Sequence, residues 1–540
     1  MAEVVNINDV LDGHVVLDLS CIDRLYLNAY VARLQVGGQV NQFCHHRGQP
    51  IASPAVIEKI GNGFRREVDA FAKKNAVPVL RLKKPDKSRW DDRKLDHVRP
   101  HLDRAAAAGL YCVVAIVATQ EFQRVYSATK KTKGNAVWFS WEKSERRVSC
   151  YYFYIHDREF GPGFIKICTY FPYPAKIWLN GHEWTKRQAT RARVPFTELS
   201  NGFAFSSRPD RLQSICDRLG PHDVQAFFDR WITRIPTPFT AEDRDAGYWW
   251  ELSMRQVEVS RTIVFDDPRR ARGFFESLVT DNVGIGRPEQ MAAVFKMRLM
   301  TRGPRKTKGP FRTRVFSPGT EVKIDFSFKH SRVKQYLKEG RALRIETVIN
   351  KPWDLIIRSR LQHLPELVER ARQVNDRLLM IERAGQGCAI GSALFERIHQ
   401  PYAREGQRTG AFRFGDVRAM ALAGALCCVI HAVTGFNNKS LRGLVAGLLG
   451  TDYNTGQMTY DLRRLRLHGL IERVPRTNTY ILTTEGQRVA VFYTKLDRRL
   501  LRPLLEADKP PASMELRRAL SVIERGIAES VTNARLGLTA

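Results

Sequence analysis

Between residues 14 and 180, stretches with the apolar spacing of strands alternate with stretches spaced as helices. "HVVLDLS" predicts a first strand and "VPVLRL" a shorter one. Between them, "SPAVIEKIGNGFRREVDAFAKKN" repeats its apolar positions at helical intervals, with Ser53 placed to cap the start and Pro54 at the first position. "DHVRPHLDRAAAAG" reads as a helix interrupted at Pro100, and "LYCVVAIVATQE" as a long buried strand. A basic loop then leads into three β-rich runs, "RVSCYYFYIHD", "GFIKICTYFPY" and "KIWLNG", divided by turn residues. Strands that alternate with helices and then follow one another predict an α/β layer with an antiparallel extension.

From 182 to 295 the pattern turns mainly helical, in "DRLQSICDRLG", "DVQAFFDRWITRI", "WWELSMRQVEVSRTIVF" and "RARGFFESLVTDN". "KMRLMTRGPRKTKGPFRTR", residues 296–314, has eight basic residues and no acidic one, and its Gly and Pro make it a loop or linker. "VKIDFSFKHSRVKQYLKEGRALRIETVIN" returns to strands, and "LPELVERARQVNDRLLMIER" is a helix. The expectation is an α/β (α+β) multidomain chain. It comprises an amino-terminal mixed-sheet α/β domain (1–181), a helical region (182–295), a basic linker (296–314), strands plus a helix (315–413), a winged helix-turn-helix domain (414–505) and a helical tail (506–540).

The winged-helix expectation rests on an order of elements. "DVRAMALAGALCCVIHAV" supplies a first helix. "NNKSLRGLVAGLLG" supplies a second, capped by Asn437 or Asn438 and closed at Gly450. In the third, "TGQMTYDLRRLRLHGLI", Met458, Leu462, Leu465 and Leu470 line one face, leaving Tyr460, Arg463, Arg464 and Arg466 largely on others. "ERVPRTNTYIL" forms a hairpin whose tip, Pro475 to Asn478, carries Arg476. A helix of this width enters the major groove, with guanidinium groups on backbone phosphates.

Charge strengthens that reading. The chain has 540 residues, with 87 Lys and Arg against 56 Asp and Glu, a formal charge of +31. A field of this sign attracts polyanions, here DNA in preference to RNA. An anionic membrane is the competing partner, but no lipidation signal is evident. The longest apolar stretches, Ala105 to Thr119 and Ala419 to Val433, fall short of the ~20 residues a spanning helix needs. Acidic residues stand near the start where a signal peptide is basic, so a cytoplasmic protein is expected. The nine cysteines are scattered without Cys-x-x-Cys spacing, which speaks against a disulfide framework or zinc finger; Cys21, Cys112, Cys150 and Cys168 read as buried thiols.

A metal-dependent nuclease would need carboxylates converging on a hard cation such as Mg²⁺. Asp18, Asp23, Glu121, Asp157, Glu159, Glu183, Asp325 and Glu346 are the candidates, with Asp18, Glu121 and Asp157 as metal ligands and Glu346 beside them. Each has an ordinary alternative as a turn residue or an arginine's partner. His45, His46 and His182 lack the spacing that sets two imidazoles on one helix face. "GIGRPEQ" and "GQGCAIG" fit neither a P-loop nor a dinucleotide fingerprint. Phosphate contacts are expected from Arg305, Lys306, Lys308 and Arg312 in the basic linker, and from Lys186 and Arg187 after the aromatic run. In that run Tyr152 and Tyr154 could stack bases on an open sheet, with Lys166 and Lys176 nearby, or simply pack a core.

"RVKQYLKEGRALRIETVIN" resembles part of the replication initiators of rolling-circle plasmids and phages, which nick DNA with a tyrosine. The resemblance implies Tyr336 as nucleophile, with Lys338, Arg344 and Glu346 in the same β layer; the His-hydrophobic-His metal motif of the larger nickase group is missing. "YYFYIHDREFGPGFIKICTYFPYPAKIWLNGHEW", "RALRIETVIN" and "MTYDLRRLRLHGLI" resemble segments of a family of large bacterial proteins with a C-terminal winged helix. That resemblance implies a bacterial protein and carries over no catalytic residue. Three functions stay open: a DNA-binding protein of a mobile element or plasmid, a metal-dependent nuclease or nickase, and a non-catalytic regulator or architectural protein.

Overall fold

Seventeen residues from Val15 to Val31 form the long first strand, β1, which lies between strands formed by residues 175–180 and 250–265. The structure, a computed structural model, describes residues 7–82, 93–134, 136–282, 291, 294–295, 311–316, 322–384, 392–404, 406–427, 435–475, 477–497 and 522. Within them the chain forms two compact units, Asp9–Leu378 and the part from Leu379 onward.

The first unit is built on one sheet. Its further strands are β2 (Val79–Arg81), β3 (Cys112–Lys133), β4 (Ala136–Asp157), β5 (Gly161–Cys168) and β6 (Ala175–Asn180). A separate hairpin, β7 (Phe196–Leu199) and β8 (Gly202–Ser206), precedes β9 (Trp250–Phe265). The sheet is completed by β10 (Phe311–Phe316), β11 (Lys323–Phe328), β12 (Ser331–Lys338) and β13 (Ala342–Ile349). Eleven strands lie in the order β10-β11-β12-β13-β9-β1-β6-β5-β4-β3-β2. All neighbours are antiparallel except β2 and β3, which makes the sheet mixed.

Three expectations are corrected. "WWELSMRQVEVSRTIVF" is not a helix but β9, the strand between β1 and β13. It is buried on both faces, which erases the alternation that marks a half-exposed strand. The basic loop after "LYCVVAIVATQE" is the continuation of β3 into β4, paired residue for residue from Glu121↔Val148 to Lys133↔Ala136. The boundaries at 181, 295 and 314 do not divide domains, because strands from 15 to 349 share one sheet.

Helices cover the β3–β4 end on opposite faces. The helix Pro54–Lys74 sets Phe64 against Tyr151 and Phe71 near Phe153. Its Gly61 has no space for a side chain, since a Cβ there would meet the Thr169 carbonyl oxygen at 2.6 Å. The helix Arg93–Ala107, with Pro100 inside it, lays Val98, Leu102 and Ala105 over Val114, Val117, Tyr152 and Tyr154. The helix Leu364–Ala384 docks through Asn375, which donates to the Val259 carbonyl (3.1 Å) and accepts from Thr347 (2.6 Å).

The second unit contains helices Ser392–His399, Val417–Leu426, Asn438–Leu449, Thr455–Leu467 and Thr484–Leu496. A hairpin of Ile471–Arg473 with Tyr480–Leu482 falls between the last two. Asn437 caps the Asn438–Leu449 helix in a reciprocal box with Ser440, and Gly450 ends it in the left-handed conformation. Asn454 and Gln457 repeat the box at the next start. Phe412, Leu422, Leu441, Met458, Leu462, Leu465, Ile471, Val489 and Tyr493 share the core. No described helix in either unit is long and apolar enough to cross a membrane.

Candidate functional site

The expected metal ligands do not come together. Asp18 on β1 pairs with Arg261 at 3.0 and 2.6 Å. Glu121 on β3 accepts from Tyr152 (2.8 Å) and from Lys166, with Lys94 at 3.5 Å. Burial works against charge at Glu121, yet Lys166, Tyr152 and Lys94 hold it down to about 2. Asp157 ends β4 as a turn anchor. It accepts from the backbone N–H groups of Glu159 (2.7 Å) and Phe160 (2.9 Å), from Trp231 (2.7 Å) and from Arg230 (2.8 Å). Each carboxylate is occupied by its own local partners.

A different trio converges. Asp23 on β1, Glu258 on β9 and Glu346 on β13 are buried, with ligand-type oxygens all within 4.8 Å of one another. Arg344, fully buried on β13, runs through the group. It donates from Nη2 to Asp23 Oδ2 (3.1 Å) and His182 Nε2 (2.7 Å), and from Nε to Glu346 Oε1 (3.2 Å). Its Nη1 reaches Thr262 Oγ1 (2.9 Å) and the Asn201 carbonyl (3.0 Å). Tyr336 on β12 donates to Glu346 (2.7 Å), and Lys334 lies 3.6 Å from the same carboxylate. Arg24 stands 3.7 Å from Asp23 and 3.9 Å from Glu258. Tyr336, Arg344 and Glu346 therefore do share a β layer, with Tyr336 directly opposite Arg344 in register.

The electrostatics are those of an internal salt network. Three carboxylates face three cations, Arg24, Lys334 and Arg344. Burial opposes charge on Asp23, but Arg344, His182 and Arg24 hold its carboxyl well below the usual range. Glu258 is pushed up by burial. Burial, then the Glu346 charge, raises the Tyr336 hydroxyl, which stays protonated as Glu346's donor. The Tyr336 oxygen is thus engaged as Glu346's hydrogen-bond donor. Mg²⁺ does not fit this trio, since Arg344 already sits between Asp23 and Glu346 with a hydrogen bond to each.

Sequence reasoning named Asp23 and Glu346 but missed Glu258. The available signal was "EVSRT", where Glu258, Ser260 and Thr262 alternate onto one face of a strand.

The expected nucleic-acid contacts divide sharply. Lys186 is buried and bound to Glu198 (2.6 Å), Glu183 (3.2 Å) and the Leu199 carbonyl (3.4 Å). Arg187 pairs with Glu183 at 2.8 Å. Both therefore have carboxylate partners within the first unit. Tyr152 and Tyr154 lie beneath the Arg93–Ala107 helix, so they pack a core and present no stacking platform. Arg305, Lys306, Lys308 and Arg476 lie outside the described residues, as does the Arg312 side chain on β10.

On the Thr455–Leu467 helix, Arg464 corrects a further expectation. It is buried, lies over the Phe412 ring at 5.2 Å and pairs with Asp461 at 3.3 Å. Asp461 also accepts from Arg418 (2.6 Å) and from the Tyr453 hydroxyl. Arg463 and Arg466 are exposed, as is Arg473 on the hairpin, and Tyr460 is 49% exposed. The helix thus turns Met458, Leu462 and Leu465 inward and keeps Thr455, Thr459, Tyr460, Arg463 and Arg466 outside.

No protein-family model, curated protein or solved structure matches the chain.

Proposed function

We propose that the chain is a cytoplasmic DNA-binding protein that docks on duplex through a winged helix in its second unit. One observation carries the reading. The Thr455–Leu467 helix, followed by a hairpin, keeps its apolar side in the core and offers Tyr460, Arg463 and Arg466 to solvent. In this reading Thr455–Leu467 is the recognition helix, the preceding Asn438–Leu449 helix supports it, and the Ile471–Leu482 hairpin is the wing. Asn438 steadies the helix start by donating to the Thr455 carbonyl (3.3 Å) and Thr459 Oγ1 (3.1 Å). The net charge of +31 draws the duplex toward the protein.

The reading contains no catalytic step. The Asp23–Glu258–Glu346 group is neutralised from within, which favours a regulator or architectural protein over a nuclease. Titration of labelled duplex with the full chain across a salt series tests the proposal. Expected is an association constant whose logarithm falls linearly with the logarithm of salt, by about 0.9 per phosphate contacted. Absence of duplex binding at low salt would refute it.

A further inference from the structure

The longest hairpin among the described residues extends past the sheet that holds it. β3 pairs with β2 only over Ile116–Ala118, and β4 pairs with β5 only over Cys150–Asp157. From Gln120 to Lys133 and from Ala136 to Ser149 the two strands pair with each other and with no third strand, as a ribbon. Its lower part is tied down. Tyr126 bonds to the backbone of Leu34 (3.3 Å) and Phe171 (3.2 Å), and Lys143 donates to Gln35 (2.9 Å). Gly37 packs so closely on the Trp141 carbonyl that a Cβ there would lie 2.2 Å from it. Above this anchor, no described residue from Thr129 to Ser140 has a side-chain hydrogen bond or ion pair outside the ribbon.

That outer part has a distinct chemistry. Ser127 to Trp141 contains Lys130, Lys131 and Lys133 and no carboxylate. All three lysines are exposed, and Trp138 and Val137 are 44% and 40% exposed. Lys131 stands opposite Trp138 and Lys133 opposite Ala136 on one face, while Lys130 stands opposite Phe139 on the other. A soluble protein gains nothing in stability from a solvent-facing indole between unpaired lysines. The combination suits a polyanion with flat apolar surface between its charges.

We infer that the outer β3–β4 ribbon, residues 129–134 and 136–140, is a second DNA contact that enters the major groove of a duplex. Two strands ~4.8 Å apart, with side chains on both faces, match a groove about 12 Å wide and exceed the minor groove of about 6 Å. Lysines on both faces reach phosphates of both groove walls, and Trp138 meets the base edges between them. From the Ala128–Trp141 pair to Lys133 the strand rises ~17 Å, twice the groove depth of about 8.5 Å. The inference rests on the proposed DNA binding but not on the helix that carries it.

The test compares the full chain, a Lys130→Ala/Lys131→Ala/Lys133→Ala variant and an Arg463→Ala/Arg466→Ala variant on labelled duplex across salt, with circular dichroism confirming the fold of each. Expected for the lysine variant is a salt slope lower by about 2 to 3 and an affinity roughly tenfold weaker at low salt. Trp138→Ala is expected to weaken binding with an unchanged slope. If the lysine variant binds like wild type while the arginine variant does not, the ribbon contact is refuted and the winged-helix reading stands. The converse result refutes the helix contact and retains the ribbon. If wild type binds no duplex, both fail. If the lysines prove necessary for anionic vesicles and not for duplex, the ribbon contact is likewise refuted.

Discussion

Arg344 Nη2 lies 3.1 Å from Asp23 Oδ2, which ties β13 to β1 across the intervening β9. Both side chains are buried, and the same guanidinium serves Glu346, Thr262, His182 and the Asn201 carbonyl. Removing one member of such a group strands the others as uncompensated charges. Arg344→Leu is therefore expected to lower the unfolding free energy by about 3–5 kcal/mol. Urea unfolding monitored by circular dichroism measures this. Arg344→Leu combined with Asp23→Leu should recover part of the loss, because the two changes share one interaction. An unchanged midpoint for the single variant would contradict the network's role.

Glu121 predicts a specific acid limb. Its folded value of about 2 lies below the ordinary 4.5, because Lys166, Tyr152 and Lys94 outweigh the effect of burial. A depressed carboxyl contributes stability that is fully present above the unfolded value and lost as pH falls through the folded one. The contribution is thus expected to fade between pH 4.5 and about 2. Glu121→Gln should be less stable than wild type at neutral pH and should flatten the decline across that window. Parallel curves for the two proteins would count against this account.

Gly486 marks a close approach in the second unit. A Cβ there would fall 1.8 Å from the Leu470 carbonyl oxygen, a backbone atom that cannot swing aside. Gly486→Ala is expected to cost about 1–3 kcal/mol through forced displacement of the Thr484–Leu496 helix. A thermal midpoint equal to wild type would show that the helix start has more room than this geometry allows.

Arginines one and two residues apart separate stability from binding. Arg464→Ala removes a buried partner of Asp461 and should cost about 1–3 kcal/mol while leaving the salt slope of DNA binding intact. Arg463→Ala and Arg466→Ala remove exposed groups and should change the slope with stability within ±0.5 kcal/mol. Chemical unfolding and duplex titration on the same three variants decide the matter; a slope change confined to Arg464→Ala would invert the assignment.

Much of this architecture could be read from local pattern, and the failures have physical causes. The helices Pro54–Lys74 and Leu364–Ala384 carry an apolar stripe, and the sequence places them within a residue or two. β9 has both faces covered, so no alternation survives to distinguish it from a buried helix. The outer β3–β4 ribbon fails for another reason: its lysines, threonines and serines interrupt the apolar positions, so no regular alternation marks it as strand. Within the salt network, period two shows that Arg344 and Glu346 share a face. It cannot show that Asp23, 321 residues away, faces them. Lys186 and Arg187 look like surface cations in sequence, yet Glu183 one turn earlier claims both.

The most direct test of the central claim is duplex binding by the Arg463→Ala/Arg466→Ala chain, measured by fluorescence anisotropy from 50 to 200 mM salt as in the range where phosphate contacts dominate. Docking through the Thr455–Leu467 helix predicts a slope of log affinity against log salt shallower by about 1.8, at about 0.9 per phosphate lost, with folding unchanged. A folded variant that retains wild-type affinity and slope would contradict it.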